Sequence, residues 1–247
     1  MIMSFERLLA ELPALLEGLL VTLELTALTL FFGMALALPV ALARNHPSPL
    51  LRWLAAGFVF FFRGPPVLAL LFMLYYGVPQ VAWIRESWAW FLLKDGFTCA
   101  VVAFSLNSAA YVAEILATAL RGVPQGEREA ALAIGFKPWD RFRLITLPHL
   151  ARLALHNYGN EIVFVIKGTA IASLVTVVDL MGVAQQIYAR TYDPFTPLLA
   201  AGAFYFALVV LVTWAVHRLE HRMTPELHPP RSVAGSARRL SRERRSA

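Results

Sequence analysis

The chain has 247 residues, of which 58% are hydrophobic and only 15% charged, with a formal net charge of +6. A water-soluble fold of this composition would expose large apolar patches, so a lipid bilayer is the expected solvent. The basic residues lie beside apolar segments and in the C-terminal tail, a pattern typical of membrane-protein loops, which argues against nucleic-acid binding.

Apolar segments long enough to cross a bilayer predict an all-α membrane protein with five transmembrane helices. In chain order we expect these spans at about residues 19–43, 64–84, 97–120, 151–178 and 198–216. The second span has two interpretations: one helix from residue 50 with a buried Arg63, or an interfacial piece and a break before a span from Gly64 to Ile84. We favour the break, because an arginine at mid-bilayer is costly and one at the interface reaches headgroups. Residues 179–193 are expected to form a polar connection.

Loop charges set the orientation of five spans, whose two ends must lie on opposite sides of the membrane. With the C-terminus inside, 17 Lys and Arg residues face the cytoplasm and four face outward. The positive-inside rule therefore predicts a periplasmic N-terminus and a cytoplasmic C-terminus. We expect residues 1–223 to form the transmembrane domain, and residues 224–247 to form a basic tail with too few apolar residues to fold alone.

The loop between the third and fourth spans, at about residues 122–150, carries a specific spacing. Its fixed positions are Glu129, Ala130, Ala131, Gly135, Ile145, Leu147 and Pro148. All seven match the EAA loop of ABC-importer permeases, which this stretch resembles, and a chance match has a probability of roughly 10⁻⁵. Gly135 can adopt a positive φ and end a first short helix, and Pro138 suits the first turn of a second.

The resemblance implies the transmembrane fold of a type I ABC importer in a bacterial inner membrane. In that family the two short loop helices dock on a separate ATP-binding cassette ATPase, so the seven EAA positions are the predicted ATPase-coupling residues. None of the three lysines is followed by Ser or Thr, so the chain has no Walker A loop. ATP and Mg are therefore expected on the partner, with no cofactor in this chain. The other implied partners are a periplasmic substrate-binding protein, a paralogous second permease rather than a second copy, and membrane lipid.

Shorter strings narrow the resemblance to polar-amino-acid permeases. Residues 62–66, FRGPP, resemble the FRGTP stretch of that subfamily, with Pro65 where threonine is usual. Asn160-Glu161 and Lys167-Gly168-Thr169 resemble its NE…K-x-T segment. Two further strings, at 94–99 and 191–196, resemble M-type subunits of histidine/arginine/ornithine and opine importers. The resemblance implies that the solute is a polar, basic amino acid or an opine.

Polar residues within the predicted spans are candidates for a substrate path. Asn107, Tyr111 and Glu114 lie at i, i+4 and i+7 on one face of the third span, and such a face looks into the bundle or a watery cavity. Glu114 either pairs with a substrate ammonium or guanidinium, or forms a structural salt bridge to Lys167. Lys167 and Thr169 flank a predicted helix break, which either meets the substrate or is a structural kink.

Two other charged residues are expected to have structural roles. Glu161 is expected to pair with Arg152 or with a partner subunit, and Arg63 to anchor the chain at the interface. No acid or cysteine stands at ligand spacing from His149 or His156, so no metal site is expected.

A self-sufficient secondary transporter driven by an ion gradient is the alternative function. Such proteins typically contain two matching halves, whereas five spans and one EAA loop show no internal repeat. An intramembrane enzyme would need a nucleophile or metal motif, and no such motif is present, so no catalytic residues are expected.

Overall fold

The computed structural model describes residues 5–88 and 90–223, so the predicted basic tail lies outside the described residues. Helices are the only regular elements within this part of the chain. They are α1 (Phe5–Arg44), α2 (Pro49–Arg63), α3 (Val67–Phe72), α4 (Ala82–Arg85), α5 (Trp90–Leu93), α6 (Gly96–Arg121), α7 (Gln125–Ala133), α8 (Pro138–Arg141), α9 (Leu147–Thr169), α10 (Leu180–Thr191) and α11 (Phe195–Met223). Short π-helical or 3₁₀ turns extend α3, α8 and α9, at Met73–Gly77, Val78–Gln80, Phe142–Thr146 and Ala170–Val175.

Four continuous helical stretches in the described ranges are long and apolar enough to cross a bilayer. They are Leu9–Arg44, Gly96–Arg121, Pro138–Val175 and Phe195–Met223. A fifth crossing exists only if α2 and residues 67–80 are counted together, as a pair bent by 94°. The prediction of an all-α membrane fold is confirmed.

The second predicted span is only partly correct. The chain breaks where expected, because Pro65 and Pro66 supply no backbone N–H to continue α2. The helical stretch beyond the break, however, runs only from Val67 to Gln80. Its fourteen residues reach about 21 Å, less than the hydrocarbon thickness, so residues 64–84 are not a complete span.

The predicted polar connection at 179–193 is wrong, because these residues form the partly buried helix α10. Its apolar residues Leu180, Val183, Ala184 and Ile187 are buried at helical spacing against Leu15 of α1. This contact also explains why α1 starts well before the predicted residue 19. The short apolar stripe was hidden among polar residues, so composition alone indicated a loop.

Asp179 fixes the start of α10 from a fully buried position. Its Oδ1 accepts a hydrogen bond from the Gly182 backbone N–H at 2.9 Å, and its Oδ2 accepts one from the Tyr205 hydroxyl of α11 at 3.0 Å. Burial raises the pKa of the Asp179 carboxyl. Thr22 of α1 accepts from the Leu180 backbone N–H at 3.1 Å, so α1, α10 and α11 meet at one point.

Helix α6 lies at the centre of the bundle, packed against α1, α2 and α9. Two apolar clusters surround it, one toward each end. The first includes Leu25, Leu71, Ala100, Phe104 and Val175, and the second includes Ala37, Val59, Val112, Leu116 and Ala154. Helix α9 also lies tightly against α11, since a Cβ atom at Gly159 would stand 2.5 Å from Val216 Cγ1.

The sequence predicts a helix break at residues 167–169, but these residues are still α-helical, so the prediction is not confirmed there; the helical stretch changes type only after them. The α-helix ends at Thr169, whose buried hydroxyl donates to the Ile166 carbonyl at 2.7 Å. The chain continues as the 3₁₀ turn Ala170–Val175 and then enters the left-handed region at Thr176, with φ 65°.

Candidate functional site

A polar cavity of about 550 Å³ opens between the C-terminal end of α2, the second half of α6 and the middle of α9. Its polar lining residues are Arg63, Tyr111, Glu114, Thr118, Asn157, Asn160 and Glu161. Titratable groups of both signs therefore face one space within the transmembrane helices. This arrangement is typical of a solute path.

Glu161 is the most deeply buried charged group of this cavity, with 6% of its surface exposed. Its Oε1 atom has no hydrogen-bond partner among the described residues. The expected ion pair with Arg152 is not present between these two residues, so that prediction is wrong for contacts within the chain. A buried carboxylate with one oxygen left unsatisfied is energetically costly, and a cation entering the cavity would relieve that cost.

Arg63 lines the polar cavity, and its expected role as an anchor at the membrane interface stays a prediction. Its Cζ atom stands 4.7 Å from the centroid of the Tyr111 ring, a cation–π contact. Asn107 explains this position, because its Nδ2 donates to the Phe62 carbonyl at 2.7 Å and fixes the end of α2 beside the middle of α6. No pattern in the sequence indicates this contact between residues 45 positions apart.

Glu114 is paired within the chain, but not with Lys167. Arg44 Nη2 and Nε donate to Glu114 Oε2 at 2.9 and 3.1 Å, and Arg121 Nη2 lies 3.5 Å from Oε1. The prediction of a Glu114–Lys167 pair is wrong because the C-terminal end of α1 brings Arg44 to this face of α6. Lys167 is exposed, and none of the ion pairs in the described ranges includes it.

The five predicted path residues occupy three different environments. Tyr111 and Glu114 line the polar cavity. Asn107 and Thr169 are buried, and each donates its hydrogen bond to a backbone carbonyl. Lys167 follows Asn160 by seven residues, so it continues the cavity-facing stripe of α9 beyond the cavity itself.

The loop between α6 and α9 contains the two short helices that the EAA spacing predicts. Gly135 ends α7 with φ 81°, and no atom lies within 4 Å of the position its Cβ would occupy. Gly135 N–H donates to the Leu132 carbonyl and Phe136 N–H to the Ala131 carbonyl, which is the Schellman pattern. Pro138 is the first residue of α8. Both expectations for this loop are confirmed.

The loop between α6 and α9 exposes both small and large apolar side chains on its surface. Ala130 is exposed, whereas Ala131 is buried and lets α7 lie close to its own chain. Large apolar side chains are exposed beside them, namely Leu132, Ile134 and Trp139. Glu129 accepts from Gln125 Nε2 at 2.7 Å within α7. The remaining motif positions, Ile145, Leu147 and Pro148, lie where α8 continues into α9.

Two contacts fasten α7 to the long helices on either side. His149 Nε2 lies 2.7 Å from Glu127 Oε2 and joins α7 to α9. Arg128 Nη2 donates to the Leu120 carbonyl at 2.9 Å and joins α7 to the C-terminal end of α6. Movement of α7 would therefore be transmitted to both walls of the polar cavity. Sequence reasoning missed this fastening, because the histidine and its acid are 22 residues apart.

A helical bundle with a charged intramembrane cavity, and with a helix pair in a loop fastened to that cavity's walls, defines a membrane transport subunit. Residues 20–225 match the family described as binding-protein-dependent transport system inner membrane component. The chain belongs to that family of ABC-importer permeases, and the secondary-transporter alternative is not supported.

Curated relatives cover nearly the whole chain. The nopaline transport system permease protein NocM of Agrobacterium fabrum is 35% identical over 236 residues, covering 95% of this chain and 97% of that protein. The arginine ABC transporter permease protein ArtM of Escherichia coli is 35% identical over 212 residues, covering 85% and 95%.

Solved structures support the same fold. The crystal structure of an amino acid ABC transporter with histidines has a TM-score of 0.79 at 29% identity, covering 90% of this chain and 100% of that one. The MetNI methionine ABC transporter has a TM-score of 0.71 at 23% identity with the same coverage, which supports the fold alone.

Proposed function

We propose that this permease subunit moves a cationic amino acid or an opine across the inner membrane through the polar cavity. ATP hydrolysis on a separate subunit drives the movement. The similarity to the nopaline and arginine permeases supports this class of solute. The chain itself then contributes the solute path and the loop between α6 and α9, which we call the coupling loop, while ATP and Mg bind to the partner.

The observation that carries the proposal is the carboxylate of Glu161. It is buried in a membrane span, faces the polar cavity and leaves Oε1 without a hydrogen bond from the described residues. A guanidinium or ammonium group passing through the cavity supplies the missing partner transiently. An anionic solute would instead meet a second negative charge beside the buried Glu161 carboxylate.

The sequence-predicted path residues take distinct parts in this proposal. Tyr111 and Glu114 line the path, and the ion pair with Arg44 holds the Glu114 carboxylate in place. Asn107 and Thr169 shape the wall through their hydrogen bonds to the backbone. Lys167 lies beyond the cavity, on the side away from the coupling loop.

The coupling loop meets the ATPase in this account. The EAA residues set the shape of the loop, and the exposed Leu132, Ile134 and Trp139 offer apolar contact area. The periplasmic binding protein delivers the solute on the opposite side, and a paralogous permease rather than a second copy completes the path. The N-terminus is then periplasmic and the C-terminus cytoplasmic.

Solute uptake by the reconstituted complex tests the function. The permease pair, ATPase and binding protein are placed in proteoliposomes, and uptake of labelled arginine or labelled nopaline is followed with ATP on the ATPase side. We expect uptake that needs ATP and continues when ionophores collapse the ion gradients. Uptake that follows an ion gradient without ATP, or no uptake of either labelled arginine or labelled nopaline by the complete system, would overturn the proposal.

A further inference from the structure

We propose that Arg63 binds the carboxylate of the transported solute, so that the polar cavity selects solutes carrying both a cationic group and a carboxylate. This inference rests on the proposed function and deepens it. Glu161 binds the cationic group of the solute, and Arg63 binds its carboxylate.

The two residues present opposite charges to one space from different helices. Arg63 enters the polar cavity from the end of α2 and Glu161 from the middle of α9. They do not form an ion pair with each other within 4 Å, and no other ion pair within residues 5–88 and 90–223 engages either of them. A solute with two charges can therefore bind both without breaking an existing pair.

Arg63 is also held in place before any solute arrives. Its guanidinium lies over the Tyr111 ring at 4.7 Å, and the Asn107–Phe62 hydrogen bond fixes the adjacent backbone. Stacking on an aromatic face leaves the planar N–H edge available, and that edge matches a carboxylate with two parallel hydrogen bonds. This contact restricts the side chain before binding and so reduces the freedom that it loses when the solute binds.

The other nearby cations are less suited to this task. Arg44 and Arg121 already donate to Glu114. Lys167 does not line the polar cavity. Arg63 is thus the cation of this cavity wall that remains available for a carboxylate. An internal role, in which Arg63 only lowers the electrostatic cost of Glu161, predicts no dependence on the solute's carboxylate.

Direct binding to the purified permease–ATPase complex separates these roles. The binding protein is left out, because its own selectivity would mask that of the cavity. Labelled arginine is displaced by unlabelled arginine or by agmatine, which is arginine without its carboxylate. We expect agmatine to bind the wild-type complex about 10- to 100-fold more weakly than arginine.

Variants of Arg63 then test the residue itself. Arg63→Gln should lower arginine affinity to that of agmatine while leaving agmatine binding unchanged, and Arg63→Lys should restore part of the difference. A preference for arginine that survives in Arg63→Gln, or an equal loss for both ligands, would overturn the inference. If Arg63→Gln does not assemble, the same comparison is made in Arg63→Lys, where an unchanged preference would contradict the proposal.

Glu161→Gln distinguishes failure of this inference from failure of the proposed function. That variant should weaken arginine and agmatine alike, because both carry the guanidinium. If the wild-type complex binds neither ligand, or Glu161→Gln binds both normally, the proposed cation path fails and the inference fails with it. If Glu161→Gln behaves as expected and wild-type binds both ligands equally, the inference alone fails.

Discussion

Arg44 and Glu114 are joined across 70 residues of sequence, with Arg44 Nη2 2.9 Å from Glu114 Oε2. The pair links the C-terminal end of α1 to the second half of α6, and both side chains are about one quarter exposed. It also forms part of the wall of a second cavity, of about 420 Å³, which Arg63 lines as well. Breaking this pair should therefore affect both stability and the path.

Glu114→Gln should lower the thermal stability of the assembled complex, because Arg44 and Arg121 lose their shared acid. A hydrogen bond to a charged group is worth about 1.5–3 kcal/mol. Combining Glu114→Gln with Arg44→Gln should cost less than the sum of the two single changes, as measured by thermal unfolding. Glu114→Gln with Lys167→Met is the matched control and should be additive. Additivity in the Arg44 cycle would contradict the observed pairing.

Gly135→Val should reduce ATP hydrolysis stimulated by the binding protein. A β-branched residue is strained at φ 81°, and the left-handed region costs an ordinary residue about 1–2 kcal/mol. A steric clash is not the reason for the expected loss, since no atom lies within 4 Å of the position that a Cβ atom would occupy. Gly135→Asn should retain more activity, because asparagine tolerates this conformation. Gly126→Ala in α7 is the control, with open space and an ordinary φ, and should behave as wild type. Full stimulation in Gly135→Val would refute the coupling role of the turn.

His149→Leu should weaken coupling without preventing membrane insertion. The change removes the contact between His149 and Glu127 that fastens α7 to α9. Glu127→Gln is the milder variant, because its amide oxygen can still accept a hydrogen bond from the imidazole. We expect stimulated ATP hydrolysis to fall more in His149→Leu than in Glu127→Gln. Wild-type rates of stimulated ATP hydrolysis in His149→Leu would show that the His149–Glu127 contact does not contribute to coupling.

Reporter fusions test the proposed orientation. A reporter placed after Gly96 should lie on the periplasmic side, and one placed after Arg222 on the cytoplasmic side. The physical reason is the excess of basic residues in the segments assigned to the cytoplasm. Alkaline phosphatase and green fluorescent protein report the two sides with opposite signals. The reverse pattern of reporter signals would contradict the proposed orientation of the chain in the membrane.

The loop geometry was predictable from sequence because it depends on local chemistry. The backbone favours glycine at a positive φ and tolerates proline in the first turn of a helix. These residues therefore recur at fixed positions, and their spacing can be recognised in the sequence. The partners of charged groups were not predictable in the same way. Glu114 meets Arg44, and Arg63 meets Tyr111, through the packing of whole helices. Helix α10 was missed because its apolar stripe is short and interrupted by polar residues.

Arginine uptake by proteoliposomes containing Glu161→Gln tests the central claim most directly. The complete complex is supplied with ATP and binding protein, and Glu24→Gln, an exposed acid on α1, serves as the control. We predict that Glu161→Gln assembles normally and takes up arginine about 10- to 100-fold more slowly than wild type, while Glu24→Gln matches wild type. Wild-type uptake by an assembled Glu161→Gln complex would contradict the account.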